Sequence, residues 1–131
     1  MPIITNIEDL RVLAQKRVPR IYYNYADSGS WMEGTYRANC DDFQTIKLRQ
    51  RVAVNIENRS TRSTMIGREV AMPVALAPVG MTGMQHADSE IKAARAAETF
   101  GLPFTLSTMS ICSNEDIAAH TKAPFLGSIC R

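Results

Sequence analysis

"PVALAPVGMTG", residues 73–83, is a run of apolar residues that stops at Pro78 and gives way to small, turn-forming positions. Val74–Ala77 reads as a short strand, apolar throughout and therefore buried on both faces. The stretch "DSEIKAARAAETFG" (88–101) then reads as a helix, with Asp88 as N-cap and Gly101 just past its end. Ile91, Ala93, Ala94 and Ala97 give it a small-residue face able to lie close to a sheet. A second apolar run follows in "LPFTLS" (102–107). "TMSICSNEDIAAHT" (108–121) supplies another loop and helix, with Ser113 and Asp116 spaced as a capping box. "APFL" (123–126) opens a third strand. Strand, loop and helix in tandem, with continuously apolar strands, predict an α/β protein with a parallel sheet and helices outside. A doubly wound sheet and a (β/α)8 barrel both satisfy that pattern.

Upstream the character changes. "TNIEDLRVLAQKR" (5–17) opens with a capping-box spacing, Thr5 to Glu8, and sets Ile7, Leu10 and Leu13 on one helical face. "PRIYYNYADSG" (19–29) predicts a second helix, started by Pro19 and ended by Gly29. A third is expected from Trp31 to about Cys40. "TIKLRQRVAV" (45–54) alternates in part and predicts an extended segment. "STMIGREVAMPV" (63–74) predicts a hairpin of Thr64–Ile66 and Glu69–Ala71 about a Gly67-Arg68 turn. The expected organisation is a helical prelude over about 1–62, a hairpin over about 63–72 and the first βα units over about 73–125, all within one domain.

The totals bound the function. In 131 residues, 45% are hydrophobic and 21% charged, which marks a globular chain. Net charge is +2 with the two signs interspersed, which argues against a dedicated nucleic-acid surface. No apolar stretch reaches the roughly 18 residues of a membrane span. "MPIITNIEDL" lacks the basic start and apolar segment of a signal peptide, so a cytoplasmic location is expected. Cys40, Cys112 and Cys130 are too few and scattered for a disulfide framework or zinc site, and with two histidines no metal centre is expected.

In either architecture function sits at the carboxyl ends of the strands, here the loops "APVGMTGMQH" (77–86) and "STMSICS" (107–113). Val79 and Gly80 offer N–H groups, and Gly80 and Gly83 lack side chains that would hold a flat ligand off the backbone. Ser107, Thr108 and Ser110 add hydroxyls. Such a pair of loops suits a planar heterocycle, although ordinary loops meet the same spacing. No dinucleotide or P-loop glycine motif competes. In the tyrosine cluster, Tyr22 and Tyr25 lie three apart on one helical face, where a phenol could bind a small polar substrate or simply pack.

Several stretches converge: "YYNYADSGSW" (22–31), "RANCDDF" (37–43), "LRQRVAVN" (48–55), "MPVALAPVGMTGM" (72–84) and "AARAAETFGLPFTLSTMSICSNED" (93–116). Their order and spacing resemble the FMN-dependent 2-hydroxy-acid oxidases and dehydrogenases, from about Ile3 to Phe125. Within that family, which includes glycolate oxidase and mandelate dehydrogenase, the wording is most similar to the bacterial respiratory L-lactate dehydrogenases. The resemblance implies a (β/α)8 TIM barrel preceded by helices, with FMN as cofactor. It implies that the backbone of Pro78, Val79 and Gly80 touches the flavin ring and that Ser107 hydrogen-bonds it. Tyr25 falls on the tyrosine that binds the substrate carboxylate, and Met109 on a position that varies with specificity. The implied reaction oxidises an L-2-hydroxy acid, such as L-lactate, to the 2-oxo acid. Quinone, cytochrome or oxygen reoxidises the flavin. A homo-oligomer and a peripheral place on the inner face of the cell membrane are implied for a full-length protein.

The family's catalytic histidine, carboxylate-binding arginines and flavin lysine have no counterpart in these residues, and His86 and His120 stand elsewhere in the pattern. "FLGSICR" (125–131) departs from the aromatic strand that the family carries there. The expectation is a reading-frame change near Phe125, a truncated product, and a chain inactive on its own. A non-catalytic remnant and another FMN barrel, such as type 2 isopentenyl-diphosphate isomerase, are the alternative readings.

Overall fold

A computed structural model describes residues 3–127. Cys130, with most of the "FLGSICR" departure, lies outside the described residues. The chain divides into two compact units, Met1–Asn58 and Arg59–Arg131.

The first unit is helical: α1 (Ile7–Arg17), α2 (Arg20–Asp27) and α3 (Gly34–Asp41), followed by a 3-10 turn, Asp42–Thr45. The α1 capping box is shifted one residue from its expected place. The Asn6 side chain accepts from the Asp9 N–H, and Asp9 reaches back to the Asn6 N–H. Thr5 still takes part, donating its N–H and hydroxyl to the same Asp9 carboxylate at 2.8 Å each. Arg11 binds Asp27 through two nitrogens, Nε at 2.7 Å and Nη2 at 3.1 Å, and so joins α1 to α2. The third helix starts later than expected. Trp31 and Glu33 adopt left-handed backbone, and Trp31 stands exposed before the first turn. The expected extended segment over 45–54 forms no strand and is exposed throughout. Its few apolar positions meet no partner strand, and alternation by itself does not hold backbone in a sheet. No residue of α1, α2 or α3 is buried.

The second unit is α/β. Strands β1 (Ser63–Met65) and β2 (Arg68–Val70) form an antiparallel hairpin with Met65 opposite Arg68. Its turn is Ile66-Gly67, one residue earlier than expected. Both have positive φ, 51° and 72°, as a type I′ turn requires. The hairpin is tied down by Thr61 Oγ1 donating to the Ala71 carbonyl and by Ala71 N–H donating to Gly101 O.

Three parallel segments follow in chain order. Leu76 makes a single bridge to Phe104, receiving the Thr105 N–H and donating its own to Pro103 O. Strand β3 (Thr105–Leu106) then pairs with β4 (Leu126–Gly127). The expected four-residue strand at 74–77 is thus one bridge long, because the adjoining rungs would need an N–H from Pro78 on one side and from Pro103 on the other, and proline has none. Helix α4 (Ser89–Phe100) connects the first segment to β3, and α5 (Asn114–His120) connects β3 to β4. Gly101 ends α4 in left-handed backbone at φ 69°, and the Leu102 N–H returns to Ala97 O, a Schellman closure. The expected Asp88 cap is different in kind. Asp88 is itself left-handed and its side chain caps nothing. The Ser113–Asp116 capping box on α5 is present in both directions.

The core is small. Ala94 and Ala97 of α4, Phe104, Leu106 and Ile117 are buried together, with Leu76, Ile91, Leu102, Cys112 and Phe125 packed around them. The alanines let α4 approach the strands closely, as the small-residue face predicted. Glu98 fastens the far end by accepting the Lys122 and Ala123 N–H groups at 2.9 Å each.

Candidate functional site: the two strand-end loops

The loops after Leu76 and after β3 lie against each other. The Met81 N–H donates to Met109 O at 2.9 Å, with Met81 held in left-handed backbone. A Cβ placed on Gly80 would stand 2.9 Å from the Met109 Cβ and 3.6 Å from Ser107 Oγ. One on Gly83 would stand 2.8 Å from the Ile111 Cβ. Each glycine thus lets one loop pack onto the other.

The structure therefore brings Gly80, Ser107 and Met109 together, with Pro78 and Val79 exposed immediately before them. Ser107 Oγ accepts the Met109 N–H at 3.1 Å, which leaves its own proton to donate. Among the described residues, no acceptor receives that proton or the N–H of Val79 or Gly80. A cavity of about 420 Å3 has Ala77, Val79 and Ser107 on its wall. Two amides and a hydroxyl beside an apolar cavity are a donor set that fits the carbonyl and nitrogen edge of a flavin ring. Another cavity of about 330 Å3 lies between the hairpin and the opposite ends of these strands, away from the donors.

Sequence reasoning missed Glu90. It is 3% exposed and is the buried charged residue among the described residues. Its Oε1 accepts the Gly83 N–H at 3.1 Å and the Ile111 N–H at 3.2 Å. Its Oε2 lies 3.3 Å from Ser89 Oγ and 3.5 Å from Cys112 Sγ. Burial opposes the charge, but the amides of Glu90 itself, Ile111 and Gly83, with the Thr82 hydroxyl, outweigh it and hold the carboxyl below its ordinary range. The Cys112 thiol is pushed up by burial and by this carboxylate. The signal was in the spacing. Glu90, Ala94 and Ala97 stand at i, i+4 and i+7, on the buried stripe of α4.

Tyr25 belongs to the first unit, on α2, and is 65% exposed. Tyr22 is also exposed. The packed member is Tyr23, whose hydroxyl donates to Asp27 at 2.9 Å. Packing thus falls to Tyr23 and not to the Tyr22–Tyr25 face, since Asp27, already fixed by Arg11, draws in the Tyr23 ring. His86 and His120 are exposed, each with Nδ1 near a backbone carbonyl, of Ala87 and Asp116.

The profile of the FMN-dependent dehydrogenase family matches residues 14–130. The chain belongs to that family. Among its relatives, L-lactate dehydrogenase of Stenotrophomonas maltophilia (strain R551-3) is 45% identical over 122 residues, covering 93% of this chain and 32% of the relative. The structure of a soluble mutant of the membrane-associated (S)-mandelate dehydrogenase from Pseudomonas putida superposes with a TM-score of 0.89 at 34% identity, covering 95% of this chain and 36% of that one. A monotopic membrane protein, also (S)-mandelate dehydrogenase, gives 0.90 at 32% identity, covering 96% and 34%. The chain spans about a third of the length of the relatives it matches. No helix among the described residues is long and apolar enough to cross a membrane.

Proposed function

We propose that these residues form the first part of a (β/α)8 barrel enzyme that oxidises an L-2-hydroxy acid, L-lactate being the favoured substrate, to its 2-oxo acid. The helical prelude, hairpin and first βα units belong to one domain. The observation that carries the reading is the pairing of the two strand-end loops in a chain of this family. Pro78, Val79 and Gly80 supply backbone to the flavin edge, and Ser107 supplies a hydroxyl whose proton is not otherwise used. FMN, when bound, accepts the two electrons removed from the substrate. The chain's own part is to seat the ring through the Val79 and Gly80 amides and the Ser107 hydroxyl, and to keep water from the apolar side of the cavity. Met109, beside Gly80, borders the substrate and helps select its side chain. The Tyr25 phenol donates to the substrate carboxylate.

A quinone, cytochrome or oxygen is the electron acceptor of the whole enzyme, which assembles as a homo-oligomer in the cytoplasm. The membrane-associated and monotopic mandelate dehydrogenases favour a peripheral place on the inner face of the membrane. The 131 residues alone bind FMN weakly and turn over no hydroxy acid, because no general base is assigned among them.

The test is a hybrid in which residues 3–127 replace the matching third of the Stenotrophomonas maltophilia enzyme. It is expected to purify yellow and to reduce a dye with L-lactate, and Ser107→Ala is expected to weaken FMN retention. A hybrid that folds but holds no flavin overturns the reading. One that holds flavin but oxidises only other hydroxy acids overturns the choice of lactate.

A further inference from the structure

We infer that Glu90 is a positioning residue, which locks the 78–85 loop to the 107–112 loop in the register that the flavin seat needs. The inference deepens the proposed function and rests on it. No other carboxylate among the described residues receives amides from both loops. Three further contacts depend on that lock. Met81 keeps an unfavourable left-handed backbone only while its N–H reaches Met109 O. The close approaches of Gly80 to Met109 and of Gly83 to Ile111 exist only while the loops stay together. The seat's donors, Val79, Gly80 and Ser107, come from both loops. Their spacing is therefore fixed before any ligand arrives, which is the condition for tight binding of a rigid ring.

A structural role alone would lower stability without touching the seat. The lock makes a narrower claim: loosening it exposes two particular amides and weakens a ligand whose donors are Val79, Gly80 and Ser107. In Glu90→Gln one carbonyl oxygen can still accept both amides, but without the charge that strengthens each bond, and the NH2 group stands where Oε2 meets Ser89 and Cys112. The measurement uses the 131-residue chain and its variants for amide hydrogen exchange by NMR, and the hybrid enzyme carrying the same variants for titration of FMN by flavin fluorescence. Exchange at Gly83 and Ile111 is expected to rise at least tenfold in Glu90→Gln, while Thr121, whose N–H bonds Ile117 O, stays as in the parent. FMN affinity is expected to fall about tenfold, the worth of one charge-assisted hydrogen bond.

Gly83→Ala reaches the same end with Glu90 intact, since its Cβ would force Ile111 away. It decides the matter if Glu90→Gln does not fold. Unchanged exchange at both amides overturns the lock, whatever the flavin does. Faster exchange with unchanged FMN affinity overturns the positioning role. Normal protection in the chain with no saturable FMN binding by the folded hybrid overturns the seat itself and leaves the lock standing as a structural tie.

Discussion

Ile117 is the large side chain with no exposure at all in the second unit, and it joins α5 to the core. Ile117→Ala deletes three carbons. At about 0.8 kcal/mol for each buried carbon, the transfer loss is roughly 2.4 kcal/mol. The cavity left beneath α5 raises this to about 3–4 kcal/mol, because the alanines of α4 cannot move in to fill it. Ile117→Val deletes one carbon and should lose about 1 kcal/mol. With so few buried side chains, the larger loss approaches the whole stability of the unit. The assay is urea unfolding followed by circular dichroism, in a fixed sucrose concentration that favours burial and brings both baselines into view. The expected order of midpoints is parent, Val, Ala, with the alanine variant mostly unfolded once sucrose is removed. If the alanine variant unfolds at the same urea concentration as the valine variant, the core is not organised around Ile117 and the reasoning fails.

Ile66 is a β-branched residue in left-handed backbone, an arrangement that costs roughly 1–2 kcal/mol, and it is 69% exposed. Ile66→Asn should therefore raise the urea midpoint; a lower one would mean that its packing outweighs the strain. Removing the α5 cap with Ser113→Ala should lose about 1 kcal/mol, read in the same titration, and Ser113→Thr should lose much less. The depressed Glu90 carboxyl gives a pH signature. Its contribution is complete above its ordinary value of 4.5 and is lost as pH falls through the lower, folded value. Acid unfolding of the parent should show that step and Glu90→Gln should not; identical acid limbs would rule out a charged Glu90. Limited trypsin digestion should cut within residues 1–58 before the second unit, since none of the helices there buries a residue. Early cleavage between α4 and α5 would contradict this.

Much of the architecture was legible because it rests on local chemistry. The alanine face of α4, Gly101 at its end and the Ser113–Asp116 box each follow from sterics or hydrogen bonding within a few residues. Errors arose where two local solutions competed. Thr5–Glu8 and Asn6–Asp9 are equally good capping boxes, and the chain uses the second. The hairpin turn moved by one residue because a type I′ turn needs Gly67 at its second position, with Ile66 bearing the strain. The segment at 74–77 is apolar enough for a strand, but its length depends on neighbours that lie far away in sequence.

The site was legible in part. Ser107, Gly80 and Met109 do converge, but the glycines serve loop packing, a reason that requires knowing what stands opposite them. Glu90 looked like an ordinary charged residue in a first helical turn. Only its phase with Ala94 and Ala97 betrayed it.

The hairpin hangs from the Gly101 end of α4, whereas the paired loops sit at the other end of that helix. Its tip is thus remote from those loops. An affinity peptide or dye inserted after Gly67 would hence report on the molecule without disturbing it, and purification handles belong there in preference to the loops.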